Sequence, residues 1–233
     1  VIGANAKDKG KFVYELPKNV VEVHEVFLDD ALRLKDSGKM LHAFTEEETN
    51  SLKELMLCRR PNWEILFRLY HDQKLNPMSF LRSEEFLNIL TECCIKDYPY
   101  TPFADAFHTM RSMLLPVFYL MGSEVPKADV YHAICTGYGG LLACLGGHVY
   151  KKKVLLTEHG IYTREREEEI IRANGYSRHL KSSGFLSSIC CRILFIRVAF
   201  LVSALFTNAM HAQIQMGCDK EKCRVVENGI NYE

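Results

Sequence analysis

Four short apolar runs in the second half of the chain limit its fold more than any other feature. They are Asp129-Val-Tyr-His-Ala-Ile134, Lys153-Val-Leu-Leu-Thr157, Val202-Ser-Ala-Leu-Phe206 and Arg224-Val-Val-Glu227. Runs of this length suit buried strands and are short for helices. Helical stretches at 141–149, about 163–173 and 208–216 separate them through short connections. Parallel neighbours need a crossover, so strand, helix, strand, helix predicts an α/β protein whose parallel sheet is covered by helices.

The first half reads differently. Residues 20–28 alternate apolar and polar well enough for a half-buried strand. From about 45 to 121 the pattern is helical. Thr45 followed by Glu48 fits a capping box, with Leu52, Leu55 and Met56 then on one face. Pro61 interrupts, and Trp63, Leu66, Phe67 and Tyr70 form the next stripe. A third helix carries Phe86, Leu87, Leu90 and Cys94 and ends near Pro99. A fourth carries Phe103, Phe107, Met110 and Leu114, with Pro116 ending or kinking it. These stripes read as core packing.

Composition narrows the function. Lys+Arg and Asp+Glu both number 29, so the chain lacks the basic excess of a general nucleic-acid binder. The nine cysteines show no Cys-x-x-Cys and no zinc spacing, and they read as reduced thiols in a cytosolic protein, several acting as small core residues. A metal set built from His132, His159 and a cysteine lacks ligand pairs at helix or hairpin spacing, so no metal is expected. The apolar stretch 189–206 is broken by Arg192 and Arg197 and reads as a buried helix running into a strand, not a membrane span. Val1-Ile2-Gly3 reads as the tail of a strand and Asn228-Gly-Ile-Asn-Tyr-Glu233 as a turn after one, so the chain is expected to be a fragment.

Parallel sheets bind ligands at the carboxyl ends of their strands, and the unusual motifs fall there. His132, Thr136 and glycines 137, 139 and 140 accompany the first run; Glu158, His159 and Gly160 follow the second; Asn228 and Gly229 follow the last. The glycines could bring backbone N–H groups against an anion or a sugar hydroxyl, or could serve tight helix–strand packing. Their spacing is not that of a dinucleotide fingerprint. His159, between a carboxylate and a glycine, reads as functional. His132 fits a core histidine as well as a site residue. The run Arg164-Glu-Arg-Glu-Glu-Glu169 reads as a solvated helix face, with Arg164 and Arg166 near enough to the loop to reach a phosphate.

The strings Val130-Tyr-His-Ala-Ile-Cys-Thr-Gly-Tyr-Gly-Gly140 and Leu156-Thr-Glu-His-Gly-Ile-Tyr-Thr-Arg-Glu-Arg166 resemble a PelF-type glycosyltransferase, a branch of glycosyltransferase family 4. The likeness continues through Gly10-Lys-Phe-Val-Tyr-Glu-Leu-Pro17, Ser203–Phe206, Gln213–Cys218 and Arg224–Ile230. Two stretches depart from the family pattern: Asn174–Ala199, and Asn231 where the family usually has Asp.

The resemblance implies a GT-B fold, two Rossmann-like domains facing across a cleft. Residues 1–233 would form an incomplete N-terminal, acceptor-side domain: a Rossmann-like parallel sheet with helices on both faces and a helical insertion at about 45–121. The donor-binding domain would lie beyond it, leaving this chain inactive alone. The implied activity is metal-independent, retaining transfer of a hexose, glucose from UDP-glucose, in Pel-like exopolysaccharide synthesis. By resemblance His159 would contact the transferred sugar and His132, Thr136 and Gly137 would line the acceptor side. Glu158, Gly160, Arg164 and Arg166 would contribute to substrate binding, and Asn228 and Gly229 would form the interdomain turn. A cytoplasmic protein follows, able to sit peripherally beside membrane-bound Pel-type synthase components, with no nucleic-acid partner. The alternative is a non-catalytic assembly module of such a complex.

Overall fold

Among the described residues, two parallel sheets organise the fold. In the small one, β1 (Ile2–Gly3) pairs with β2 (Val26–Phe27). In the larger, β3 (Val130–Ala133), β4 (Lys153–Glu158), β5 (Leu201–Ala204) and β6 (Cys223–Val225) lie side by side in chain order, all parallel. The computed structural model describes residues 1–13, 15–36, 38, 42–160, 198–215 and 217–229. The expected helix at 163–173, the divergent stretch 174–199 up to residue 197, Asn231, and Arg164 and Arg166 lie outside the described residues.

Between the sheets runs a helical block. Helix α1 (Glu46–Met56) begins at the expected capping box: the Thr45 hydroxyl accepts from the Glu48 N–H, and the Glu48 carboxylate accepts from the Thr45 N–H. Asn62 caps α2 (Trp63–Phe67), which continues into a π-helical turn at Arg68–Asp72. Asn76 caps α3 (Pro77–Phe80), and Ser83 caps α4 (Glu84–Lys96). Helix α5 (Phe103–Met121) does not end at Pro116, as the sequence allows, but runs through it. Leu114, Leu115, Val117 and Phe118 are all buried around that proline, and their packing holds the helix despite the missing N–H.

Helix α6 (Tyr138–Tyr150) joins the block to the sheet, packing on β3 and β4 and against α5. Its close approach depends on two glycines. A Cβ on Gly146 would overlap the Tyr131 ring, and one on Gly147 would overlap the Val154 side chain. Helix α7 (Thr207–Gln215) packs on β5 and β6. The parallel sheets are thus flanked by helices in a Rossmann-like α/β arrangement. One contiguous core runs from Leu52, Phe86 and Phe118 through Leu141 to Val154 and Val202.

The strand expected over 20–28 shrinks to Val26–Phe27. Its partner β1 offers two residues, and Val21 is 98% exposed, so the alternation there has no core to face. The described cysteines form no disulfide, and Cys93, Cys144, Cys218 and Cys223 are buried as small core residues.

Glu48 gives the block a pH dependence. Burial pushes its carboxyl up, but the Thr45 amide and His42, 3.1 Å away, more than offset this and hold it below the usual carboxylate range. A depressed folded-state value contributes stability above the unfolded value, and that contribution is lost as pH falls through the folded one. Glu48→Gln should therefore destabilise the protein at about pH 7 and have a smaller effect at about pH 3, measured by urea unfolding at both. Equal effects at the two values would show that only the cap geometry matters.

Candidate functional site

Strand alternation sorts the larger sheet into two unlike faces. Tyr131, Ala133, Val154, Leu156, Glu158, Val202, Ala204 and Cys223 point under α6 and α7 and are buried. The opposite face carries His132, Thr157 and Ser203, joined in a row. His132 Nε2 lies 2.8 Å from Thr157 Oγ1, which lies 2.7 Å from Ser203 Oγ. Thr157 and Ser203 are partners in register, and Arg224 follows Ser203 on β6. His132 is exposed at the end of this row, so it is a surface histidine rather than a core one.

The buried face holds a second polar set at the same end of the sheet. Glu158, 5% exposed, is the last residue of β4. Its Oε1 accepts from the Thr136 hydroxyl, and its Oε2 accepts from Gln213 Nε2 at 2.7 Å. Thr136 is itself 1% exposed and precedes Gly137, the N-cap of α6. Among the described residues both hydrogen-bond donors to this carboxylate are neutral. Burial, contact with Cys223 and the Glu158 charge push the nearby Cys218 thiol up to about 12.

His159 emerges from this buried set into solvent, and its ring has no partner among the described residues; Gly160 beside it is half-buried. The rest of the edge is also open. Ile134 and Cys135 after β3, Phe206 after β5, and Val226, Asn228 and Gly229 after β6 are exposed. Gly137 caps α6 without a side-chain hydrogen bond, so the first-turn N–H groups of α6 face this edge uncapped by a side chain. Gly139 is a packing glycine: a Cβ there would lie 3.3 Å from Cys135 Sγ.

The structure therefore brings Thr136 and Glu158 into direct contact and leaves His159, one residue away, exposed. It sets His132 on the other face, bonded to Thr157, and sets Asn228 and Gly229 two strands from β4. Gln213, Thr157 and Ser203 carry site geometry that the sequence reading did not assign. The trace of Gln213 is a glutamine four residues after the buried Ala209, on the buried face of α7.

Cavities lined by described residues lie elsewhere. One of about 530 Å³ opens between β2, the π-helical turn and the end of α5, lined by Phe27, Asp30, Tyr70, Lys74, Phe118 and Tyr119 among others. Another of about 690 Å³ lies by the start of β4 and β5, with Lys152, Lys153, Lys222 and Arg224 in its wall. Among the described residues, no group of three or more His, Cys, Asp or Glu side chains is placed to hold a metal ion, and no helix is long and apolar enough to cross a membrane.

The chain belongs to the family described as Domain of unknown function (DUF3492), whose model matches residues 1–221, a domain found in glycosyltransferase-like proteins. No curated protein and no solved structure matches the chain.

Proposed function

We propose that this DUF3492 chain is the acceptor-side part of a PelF-type retaining glycosyltransferase, which moves glucose from UDP-glucose to a carbohydrate acceptor in exopolysaccharide synthesis. The observation that carries the reading is His159, exposed and without a partner among the described residues at the carboxyl end of β4, in the region where parallel α/β sheets take their ligands. The family match over residues 1–221 supports it from the sequence side.

In such a transfer the bond from the sugar's anomeric carbon to the diphosphate breaks, and a bond to the acceptor oxygen forms on the same face. The departing phosphate oxygen takes the acceptor's proton, so no protein base is needed. His159 hydrogen-bonds a hydroxyl of the donor sugar and holds the anomeric carbon with its leaving-group face towards the acceptor. The diphosphate needs cations or N–H donors as charge develops on it. Arg164 and Arg166, shortly after His159 in sequence, are candidates for that role, alongside whatever the donor-binding part supplies.

The test is turnover by the full-length protein. With UDP-glucose and an acceptor oligosaccharide, UDP release should accompany a product whose new linkage keeps the α configuration, read by proton NMR. Consumption of no nucleotide sugar across a panel of UDP, GDP and ADP donors would overturn the reading.

A further inference from the structure

We propose that Thr136, Glu158 and Gln213 form a buried clamp whose role is to position His159 against the first turn of α6. The activity part of its test rests on the glycosyl-transfer reading above; the geometric part does not.

The three side chains come from three elements: the β3–α6 loop, the end of β4, and α7. Each Glu158 oxygen receives a different donor, Thr136 on Oε1 and Gln213 on Oε2, so the carboxylate is fixed in both tilt and rotation. The contact between Thr136 and Glu158 ties together the residues immediately before Gly137 and immediately before His159. One hydrogen bond thus sets the spacing between the N-terminus of α6 and the exposed histidine.

A carboxylate buried against neutral donors is a costly way to fill this space, and an apolar side chain of similar volume would favour stability at least as well. The adjacent positive end of the α6 dipole offsets part of that cost. Gln213 serves the carboxylate at its own expense. Its Oε1 is buried without a hydrogen-bond partner among the described residues, and turning the amide over would set that oxygen against the charge. The geometry therefore assigns Thr136 and Glu158 to support rather than to substrate contact, since their polar atoms are buried and engaged with each other.

The test uses the full-length protein with four variants: T136V, Q213L, E158L and E158Q. Two readouts are followed, sugar transfer from UDP-glucose and the ring NMR resonances of His159, with circular dichroism confirming the fold. Q213L and T136V should lower kcat at least tenfold, change the donor KM less than threefold, and shift or broaden the His159 ring signals. E158L should do the same where it folds. E158Q should rescue kcat to within threefold of the parent, because its amide can give to Gln213 Oε1 once that side chain turns over, while its oxygen still takes the Thr136 hydroxyl.

Folded Q213L and T136V proteins with unchanged kcat and unmoved His159 resonances would overturn the clamp, and so would an E158Q variant as impaired as E158L. If the parent transfers no sugar, the glycosyl-transfer reading fails by itself. The clamp then stands or falls on the His159 resonances in Q213L.

Discussion

Replacing His159 with alanine in the full-length protein is expected to cut sugar transfer from UDP-glucose by roughly 10²–10³-fold, the usual loss when one group aimed at the reacting centre is removed. Stability should change by no more than about 0.5 kcal/mol, because the ring is exposed and has no partner among the described residues to lose. Steady-state kinetics and urea unfolding of the same preparation separate the two effects. Equal kinetics in variant and parent would make His159 a surface residue and remove the observation on which the functional reading rests. By contrast, His132→Ala should break a contact of 2.8 Å to Thr157 on a different face of the sheet.

The second large effect concerns the fold. Phe118→Ala should destabilise the protein by about 3–5 kcal/mol, the range for deleting a fully buried aromatic ring. Phe118 stacks on Tyr70 with centroids 4.1 Å apart and meets Phe80 edge-on at 5.7 Å. Neither neighbour can close the gap cheaply, since Tyr70 and Phe80 are themselves fully buried. Because one core links the helical block through α6 to the sheet, the loss should shift a single unfolding transition of both regions. Urea unfolding followed by far-UV circular dichroism and by Trp63 fluorescence checks this. Two separated transitions would mean that the helical block folds independently of the sheet.

The sequence carried the sheet and the helical block well, for physical reasons that also mark where it stopped. Short apolar runs flanked by turn residues fixed β3 to β6 to within a residue or two at each end. The Thr45–Glu48 pair is a local device, so its geometry is visible in four consecutive residues. Residues 20–28 alternate just as clearly but form two residues of strand, because alternation does not reveal whether a partner is present. Of the two outcomes that Pro116 allows, an end or a kink, the helix does not end there: tertiary packing around it keeps α5 running to Met121.

The candidate site was legible in outline only. His159, Glu158 and Thr136 stood out as polar residues at strand ends. Whether each faced solvent or core depended on strand registers and helix placements that the sequence alone does not give. Glu158 and His159 are adjacent in the chain, yet one is buried and the other exposed. The His132–Thr157–Ser203 row needs the register of β5 beside β4, and Gln213 needs α7 laid over the end of β4. Each is a long-range contact in which at least one partner, Thr157, Ser203 or Gln213, is unremarkable in its own neighbourhood.

The most direct test of the account is to locate where a nucleotide sugar meets this chain. The full-length protein, labelled with ¹⁵N-histidine, is titrated with UDP-glucose while its ring resonances are followed. His159 is expected to move first and furthest, with the signal saturating as transfer does. Saturable binding that leaves His159 unmoved, with changes instead at His24 in the wall of the cavity beside Tyr70 and Phe118, would contradict it.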